Sequence, residues 1–282
     1  MSDGIIYYNA GLSCIVRMAT SIYSLRKVYD GPITIISEKD DGLPHCKKVA
    51  NKLAVDVLGV EMPDTGKNKA MLNRTLLHTV TPYEVTLNID ADTIIKRNPS
   101  RMFGWAKEFE FVVCNFCDWT SKSGKMQKRI REILTDNSAL KDAYEFGPAL
   151  NCGVYSFTKN SEWMDNWYKL ASPHRQVFIC DEKTCQAYIN KYPHFIADQR
   201  FNCSSVHAEI NDSTHIIHFH GKKHCRVDGD KYRYNSDIWY DYFDEIREND
   251  FIVNNIQHDR QLRNNLSKHD ALTNEISRAN NA

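Results

Sequence analysis

The segment running from Val85 to Thr93 (VTLNIDADT) places two carboxylates, Asp90 and Asp92, one residue apart at the end of a β-rich run. With a period of two, Val85, Leu87 and Ile89 share one face. Thr86, Asn88, Asp90 and, where extension persists, Asp92 share the other. The edge just past the C-terminal ends of parallel strands is where open α/β sheets bind ligands. Two hard oxygen donors separated by one small residue suit Mg²⁺ or Mn²⁺ bridging a diphosphate. The bland alternative is a capping or solvated acidic turn. A second Asp-x-Asp, Asp228-Gly229-Asp230, sits in a glycine-containing polar stretch and reads as a turn.

Other residues could also do chemistry. His215, His218, His220 and His224 lie within ten residues, next to Cys225. The run Ile216–His220 is strand-like, so His218 and His220 share a face. A zinc site there would need three or four such donors to converge; otherwise these are core or surface histidines. Cys114-x-x-Cys117 is half a zinc site with no second Cys-x-x-Cys, and reads as buried thiols. Asp181 and Glu182 open a helical run. The bland reading is a pair of helix N-terminal acids favoured by the dipole; a carboxylate such as Glu182 can also act as nucleophile, charge stabiliser or base where a reacting centre lies beside it. Lys67, Lys69 and Arg74 precede the acidic strand, on a solvated helix face or against an anionic ligand. The patch of Lys122, Lys125, Lys128, Arg129 and Arg131 reads as a solvated helix, with an anionic acceptor as the second reading.

The elements that position these residues alternate. Ile5–Tyr8, Ile33–Ile36, Val55–Val60 and Glu84–Ile89 are strand-like, and helical spacing fills the intervals: Ile15 to Val28, Leu43–Leu53 and Lys67–Val80. Asp30-Gly31-Pro32 and Thr81-Pro82 break the pattern. This spacing predicts a Rossmann-like α/β fold, with a mostly parallel central sheet covered by helices on both faces. Further strands are expected at Phe109–Phe116, Leu150–Phe157 and Thr214–Phe219, with helices over Lys125–Leu134, Trp163–Leu170 and Lys183–Ile189. Residues 1–236 are expected to form one domain, and 237–282 a polar helical extension. Ile252, Ile256, Leu262, Leu266 and Ile276 make a loose stripe in it, to be packed on the domain or used for self-association.

Composition sets outer bounds. The 282 residues are 42% hydrophobic and 26% charged, with 36 cationic and 36 acidic residues. A zero net charge argues against a general nucleic-acid binder, which needs a cationic excess. No apolar run of about 18 residues exists to span a membrane. The start, MSDGIIYYNAG, lacks the pattern of a secretory signal. Nine cysteines in a chain this long read as reduced thiols, so a cytoplasmic enzyme is expected.

Four segments taken together resemble GT-A-fold, nucleotide-sugar-dependent glycosyltransferases, most closely the glycogenin-like, galactosyltransferase-like group. They are Tyr7-Tyr8-Asn9-Ala10 with Ser21–Arg26; Leu87 to Thr93, followed by Ile94, Ile95 and Pro99; Asn151-Cys-Gly-Val-Tyr-Ser-Phe157; and His215-Ile-Ile-His-Phe-His-Gly-Lys-Lys223. The resemblance spans roughly residues 4–225. It implies that Tyr8, Asn9 and Ala10 hold the nucleobase, and that Asp90, Asp92 and His218 hold Mn²⁺ (or Mg²⁺). It places Lys69, Arg74, Asp90, Ala91, Gly221 and Lys222 against the donor, and Asn151, Asp181 and Glu182 beside the reacting sugar. Two departures stand out. Lys-Lys-His-Cys replaces the family's Lys-Pro-Trp, and Glu182 replaces a glutamine.

The implied activity is transfer of a sugar, with retention, from a nucleotide-diphosphate donor, UDP-linked by expectation, to an acceptor the sequence does not name. Two rivals are a sugar-nucleotide pyrophosphorylase and a non-catalytic sugar-binding protein. The first needs a Gly-rich, Arg-containing phosphate loop, where Asn9-Ala10-Gly11-Leu12-Ser13 offers one glycine. The second has no reason to keep Asp90, Asp92 and His218 together.

Overall fold

A computed structural model describes residues 2–64, 66, 68–120, 124–133, 148–220, 223–229 and 231–280, with side chains 117–120, 125–127, 129, 279 and 280 outside the description. The predicted α/β alternation is present. Strands β1 (Asp3–Asn9), β2 (Ile33–Glu38), β3 (Asp56–Val60) and β4 (Val85–Ile89) are separated by helices α1 (Ile15–Arg26), α2 (Leu43–Leu53) and two short helical segments, Lys69–Asn73 and Leu77–Val80. A 3₁₀ turn, Arg74–Leu76, joins those two segments, so the helix expected over Lys67–Val80 is broken at Arg74. Strands β6 (Phe111–Thr120), β7 (Pro148–Thr158) and β8 (Phe195–Ala197) complete a seven-stranded sheet of order β3-β2-β1-β4-β7-β6-β8.

β3, β2, β1 and β4 run parallel, with Ile5 opposite both Ile33 and Leu87. β7 is antiparallel to β4 and β6, and β8 is parallel to β6. The sheet is thus largely parallel, with one reversed strand near its centre. Apolar runs such as Leu150–Phe157 signal burial on both faces but carry no strand direction, which is why the reversal has no sequence signature.

Alternation sends the two faces of each strand into different cores. Ile5, Tyr7, Ile35, Leu87 and Val112 pack against α1, α2 and the helix Arg101–Phe109. Ile6, Ile36, Val113, Tyr155 and Phe157 pack on the other face against Trp163 and Trp167 of the helix Glu162–Ala171 and Cys185 of the helix Cys180–Tyr188. Cys114 is buried, and the eight cysteines with described side chains are free thiols.

A smaller sheet places β10 (Ile216–His218) between β5 (Thr93–Ile95), antiparallel, and β9 (Cys203–Ser204), parallel. The C-terminal helices Ser236–Asp244, Asp250–Val253 and Arg260–Asn280 bury Trp239, Tyr240, Phe243, Ile252 and Leu262 in the same core as β1 and α1. Ile276 stays exposed at the far end. No helix among the described residues is long and apolar enough to cross a membrane.

A buried polar knot ties this C-terminal region to α1. Asp259 caps the last helix, its Oδ1 accepting from Gln261 N at 3.0 Å and Leu262 N at 3.1 Å. Its Oδ2 lies 2.9 Å from Arg17 Nε and 3.4 Å from His224 Nε2. Burial would raise the Asp259 pKa, but His224 and the permanent charge of Arg17 outweigh it and hold the carboxyl at about 2. Asp259→Ala removes the cap and leaves Arg17 buried without its anion, so urea unfolding at pH 7 should show a loss of about 3–5 kcal/mol. Because the folded carboxyl titrates below its unfolded value of about 3.9, this contribution is complete above that value. The gap between wild type and variant should therefore close as pH falls from about 4 toward 2.

Candidate active site

The C-terminal edge of the parallel strands gathers the polar residues. β4 ends at Ile89, and the chain turns through Asp90, Ala91 and Asp92 into β5. A buried hydroxyl chain fixes this turn: Tyr7 to Ser21 (2.9 Å), Ser21 to Thr93 (2.7 Å), and Thr93 Oγ1 donating to the Asp90 carbonyl at 2.9 Å. The Asp90 N–H donates to the Gly153 carbonyl at 2.7 Å. Here the β6–β7 ladder shifts register, between the Val113–Tyr155 and Cys114–Asn151 pairs. Irregularities of this kind re-aim side chains next to active sites. The Phe219 N–H donates to the Asp92 carbonyl at 2.9 Å, continuing the β5–β10 ladder in which His218 faces Thr93.

That pairing brings His218 Nε2 to 3.3 Å from Asp92 Oδ1 and 3.9 Å from Asp90 Oδ2. Among the described residues, Asp90, Asp92 and His218 form a set of potential metal ligands, with one donor atom each, all within 4.8 Å of one another. Two carboxylates and an imidazole match the ligand preferences of Mn²⁺. Gly153 makes room for the ring: a Cβ there would lie 2.1 Å from His218 Cε1 and 2.6 Å from Nδ1.

The electrostatics follow from burial and pairing. Burial disfavours the charged forms, but the Asp92–His218 contact wins for both partners: Asp92 is held well below the usual carboxylate range and His218 is raised above its ordinary value. Asp90 goes the other way. Its burial outweighs the nearby cations and raises its pKa.

Arg74 donates from Nη1 to both Asp90 oxygens, at 3.0 and 3.1 Å, and from Nε to Asp181. Tyr155 Oη holds the Arg74 carbonyl at 2.9 Å. Asp181 is fully buried and meets this guanidinium. Glu182 lines the same cleft and accepts from Asn151 Nδ2 at 2.7 Å. The cleft measures about 480 Å³, with Phe116, Phe178 and Met71 supplying apolar wall opposite the carboxylates.

A second cluster forms at the ends of β1 and β2. The Glu38 carboxylate accepts from Tyr8 Oη, from Lys69 Nζ at 2.5 Å and from Asn73 Nδ2 at 2.9 Å. Burial would raise the Glu38 pKa; these three donors lower it instead. Asn9 Nδ2 donates to the Gly11 carbonyl at 3.0 Å, and Gly11 has a positive φ of 85°. Ala10 follows at the strand end, partly buried, and Ala91 packs against the core.

The structure therefore brings Asp90, Asp92, His218, Arg74, Asn151 and Glu182 around one cleft, with Asp181 fully buried against Arg74 and outside the lining, and Tyr8 and Lys69 meeting at Glu38. Gly221 and Lys222, like Lys67, lie outside the described residues. Of the other histidines, His220 stays beside the site, its ring 4.0 Å from that of His218 and lining the same cleft, whereas His215 stacks on Phe201 with ring centroids 4.2 Å apart and His224 is buried against Trp239 and Asp259. Asp228 pairs with Arg226 at 2.8 Å. Sequence reading missed Glu38, Asn73 and Asn202. Glu38 had a usable signal, since it ends the second parallel strand at the ligand edge. The two asparagines had none.

No protein-family model and no curated protein sequence matches the chain. Solved structures do match. The galactosyltransferase LgtC, in complex with donor and acceptor sugar analogs, superposes with a TM-score of 0.61 at 9% identity, over 86% of this chain and 95% of LgtC. The glycosyltransferase GlyE of Streptococcus pneumoniae gives 0.61 at 12% identity, over 91% of this chain and 63% of GlyE. Mouse xyloside xylosyltransferase 1 gives 0.54 at 10% identity, over 78% and 98%. The chain has the GT-A fold. Within that fold, Asp90 and Asp92 occupy the turn after the fourth parallel-sheet strand, and the small β5–β10–β9 sheet carries His218 back to them.

The fit of the His218 ring against Gly153 gives a direct test. Gly153→Ala should push the ring off the two aspartates and overpack the site. Thermal unfolding should report a loss of about 1–3 kcal/mol, and titration with Mn²⁺ an affinity at least about tenfold lower. Gly104→Ala is the control, since nothing lies within 4 Å of its added methyl. It sits inside a helix, so it should keep cation binding and gain about 0.5–1 kcal/mol.

Proposed function

We propose that this protein is a divalent-metal-dependent glycosyltransferase that takes its sugar from a nucleotide-diphosphate donor, UDP-linked by preference, with retention of configuration. The observation that carries this reading is the convergence of Asp90, Asp92 and His218 at the ligand edge of a GT-A sheet, beside Asn151 and Glu182. The donor set suits Mn²⁺ or Mg²⁺, and such an ion supplies charge stabilisation to a departing diphosphate.

The chain's own residues divide the remaining work. Tyr8, Glu38, Lys69 and Asn73 form the cluster nearest the ends of β1 and β2, where the nucleoside is expected. Asn9 and Ala10 end β1 beside them, and Ala91, Gly221 and Lys222 complete the expected donor contacts. Arg74 is held between Asp90 and Asp181, so its charge is spent inside the wall of the cleft, where it lets two buried carboxylates stand close together. Glu182 presents a carboxylate in the cleft, where the resemblance places a glutamine. One structural neighbour is an active-site mutant of LgtC carrying a Gln-to-Glu change, matching with a TM-score of 0.58 at 9% identity. In this protein a carboxylate at that point can stabilise positive charge at the anomeric carbon or attack it from the face opposite the leaving group.

Hydrolysis of a panel of UDP-, GDP- and other nucleotide sugars with Mn²⁺ tests the reading. Asp92→Ala should lower turnover by at least about a hundredfold and remove the response to Mn²⁺, while Asp228→Ala, in the short strand Val227–Asp228 and paired with Arg226, should leave both unchanged. Activity of Asp92→Ala at an unaltered Mn²⁺ dependence would refute the assignment. A metal ligand must be the neutral imidazole, and the metal-free pKa of His218 is raised. Protons should thus begin to compete above the ordinary value of about 6.5, and the Mn²⁺ concentration needed for half-maximal activity should climb as pH falls through that region.

A further inference from the structure

Two backbone groups fix a chain of side-chain amides that ends on His218. The Gly153 N–H can only donate, and it donates to Asn151 Oδ1 at 2.9 Å. Asn151 Nδ2 is therefore turned the other way, to Glu182 Oε2 at 2.7 Å. The Asn151 carbonyl can only accept, and Asn202 Nδ2 donates to it at 3.2 Å and to Asn151 Oδ1 at 2.7 Å. With its amide nitrogen so committed, Asn202 directs Oδ1 at His218 Nδ1, 2.9 Å away. An amide oxygen only accepts, so Nδ1 must carry a proton. In the neutral ring the lone pair then lies on Nε2, the nitrogen that faces Asp92 and Asp90.

Asn202 is fully buried and His218 nearly so. Asn202 immediately precedes β9, whose parallel pairing with β10 sets Ser204 opposite His218. The contact is thus built into the small sheet and shielded from water, which would otherwise offer the ring alternative partners.

We propose that Asn202 is the positioning residue of this site: it sets the tautomer and orientation of His218 for a divalent cation, and through Asn151 holds Glu182 in the same hydrogen-bonded frame. This rests on the metal-dependent reading above. Groups that fix a ligating imidazole typically change metal affinity by about 10–100-fold when removed. Here the same residue would also register the metal against the carboxylate at the reacting centre.

Two measurements decide it. Nitrogen-15 NMR of histidine-labelled, metal-free wild type at alkaline pH, with His218→Gln for assignment, should show His218 protonated on Nδ1; protonation on Nε2 overturns the proposal without recourse to any Asn202 variant. Binding of Mn²⁺, followed by the EPR signal of the free ion, should weaken by about 10–100-fold in Asn202→Ala, with folding checked by circular dichroism. In Asn202→Asp a carboxylate still accepts from Nδ1 but cannot donate to Asn151. That variant should keep most of the Mn²⁺ affinity while kcat for donor hydrolysis falls, a split that general loosening of the fold would not give. Wild-type affinity in Asn202→Ala, or equal loss in both variants, overturns the positioning role alone. Wild type that fails to bind Mn²⁺ removes the metal-dependent function itself.

Discussion

The antiparallel pairing of Ile216–His218 with Thr93–Ile95 is the contact on which the site depends. It joins residues more than a hundred positions apart, and it is what converts a two-carboxylate turn into a three-donor cluster. Three ladder residues are a small platform for such precision, so the structure reinforces each side. On one side, the Tyr7–Ser21–Thr93 hydroxyl chain holds the turn from beneath. On the other, β9 flanks β10, and Ile216, Ile217 and Phe219 are fully buried in the main core. A one-residue slip of β10 would exchange His218 for Ile217 beside the Asp90–Asp92 turn and disturb the packing of the buried apolar residues, so burial itself specifies the register.

Charge balance is the second constraint. Asp90, Asp92 and Asp181 lie close together with limited access to water, an arrangement that self-repulsion would disperse without compensation. Arg74 spans Asp90 and Asp181, and His218 sits against Asp92. These cations act differently. Arginine does not give up its proton, so Arg74 is a permanent counter-charge beside Asp90 and Asp181. Histidine can, so in the proposed function the His218 proton would give way to the metal. The sequence departs from a helix at Arg74, and the 3₁₀ turn there directs its guanidinium into the wall between the two carboxylates.

Much of the fold and part of the site could be read from the residues. The parallel half of the sheet follows from apolar runs of four to six residues separated by helical spacing, and the placement of Asp90 and Asp92 at the cleft from their position at a strand end. Glycine signals were ambiguous: Gly153 matters because of the ring that lies against it, a contact that no local pattern encodes. Asn73 and Asn202 were invisible for a related reason. A buried amide is recruited by whatever polar group faces it in three dimensions, and nothing in the local sequence says that Asn73 would meet Glu38 or Asn202 would meet His218. The direction of β7 was likewise hidden, because burial on both faces looks the same for either polarity. The histidine cluster resolved only on folding: His218 and His220 stay together at the cleft, while His215 and His224 pack against Phe201 and Trp239.

The C-terminal helices show how far the frame of the site extends. Asp259 begins the last helix, yet its side chain reaches Arg17 of the first helix and His224, six residues after His218. The segment that carries His218 is thus fixed at one end by the ladder to β5 and near the other by a buried charge from the far end of the chain. Arg17 contributes to the lowering of the Asp92 pKa as well. The same cation that binds the C-terminal helix therefore also favours the ionised form of a proposed metal ligand. Loss of the last helix would remove more than a surface layer. It would leave Arg17 and His224 buried without their anion, and shift the electrostatic setting of the cleft from a distance. The polar, Asn-rich tail, expected to pack on the domain or to self-associate, packs on it and reaches Arg17, a cation that also bears on Asp92.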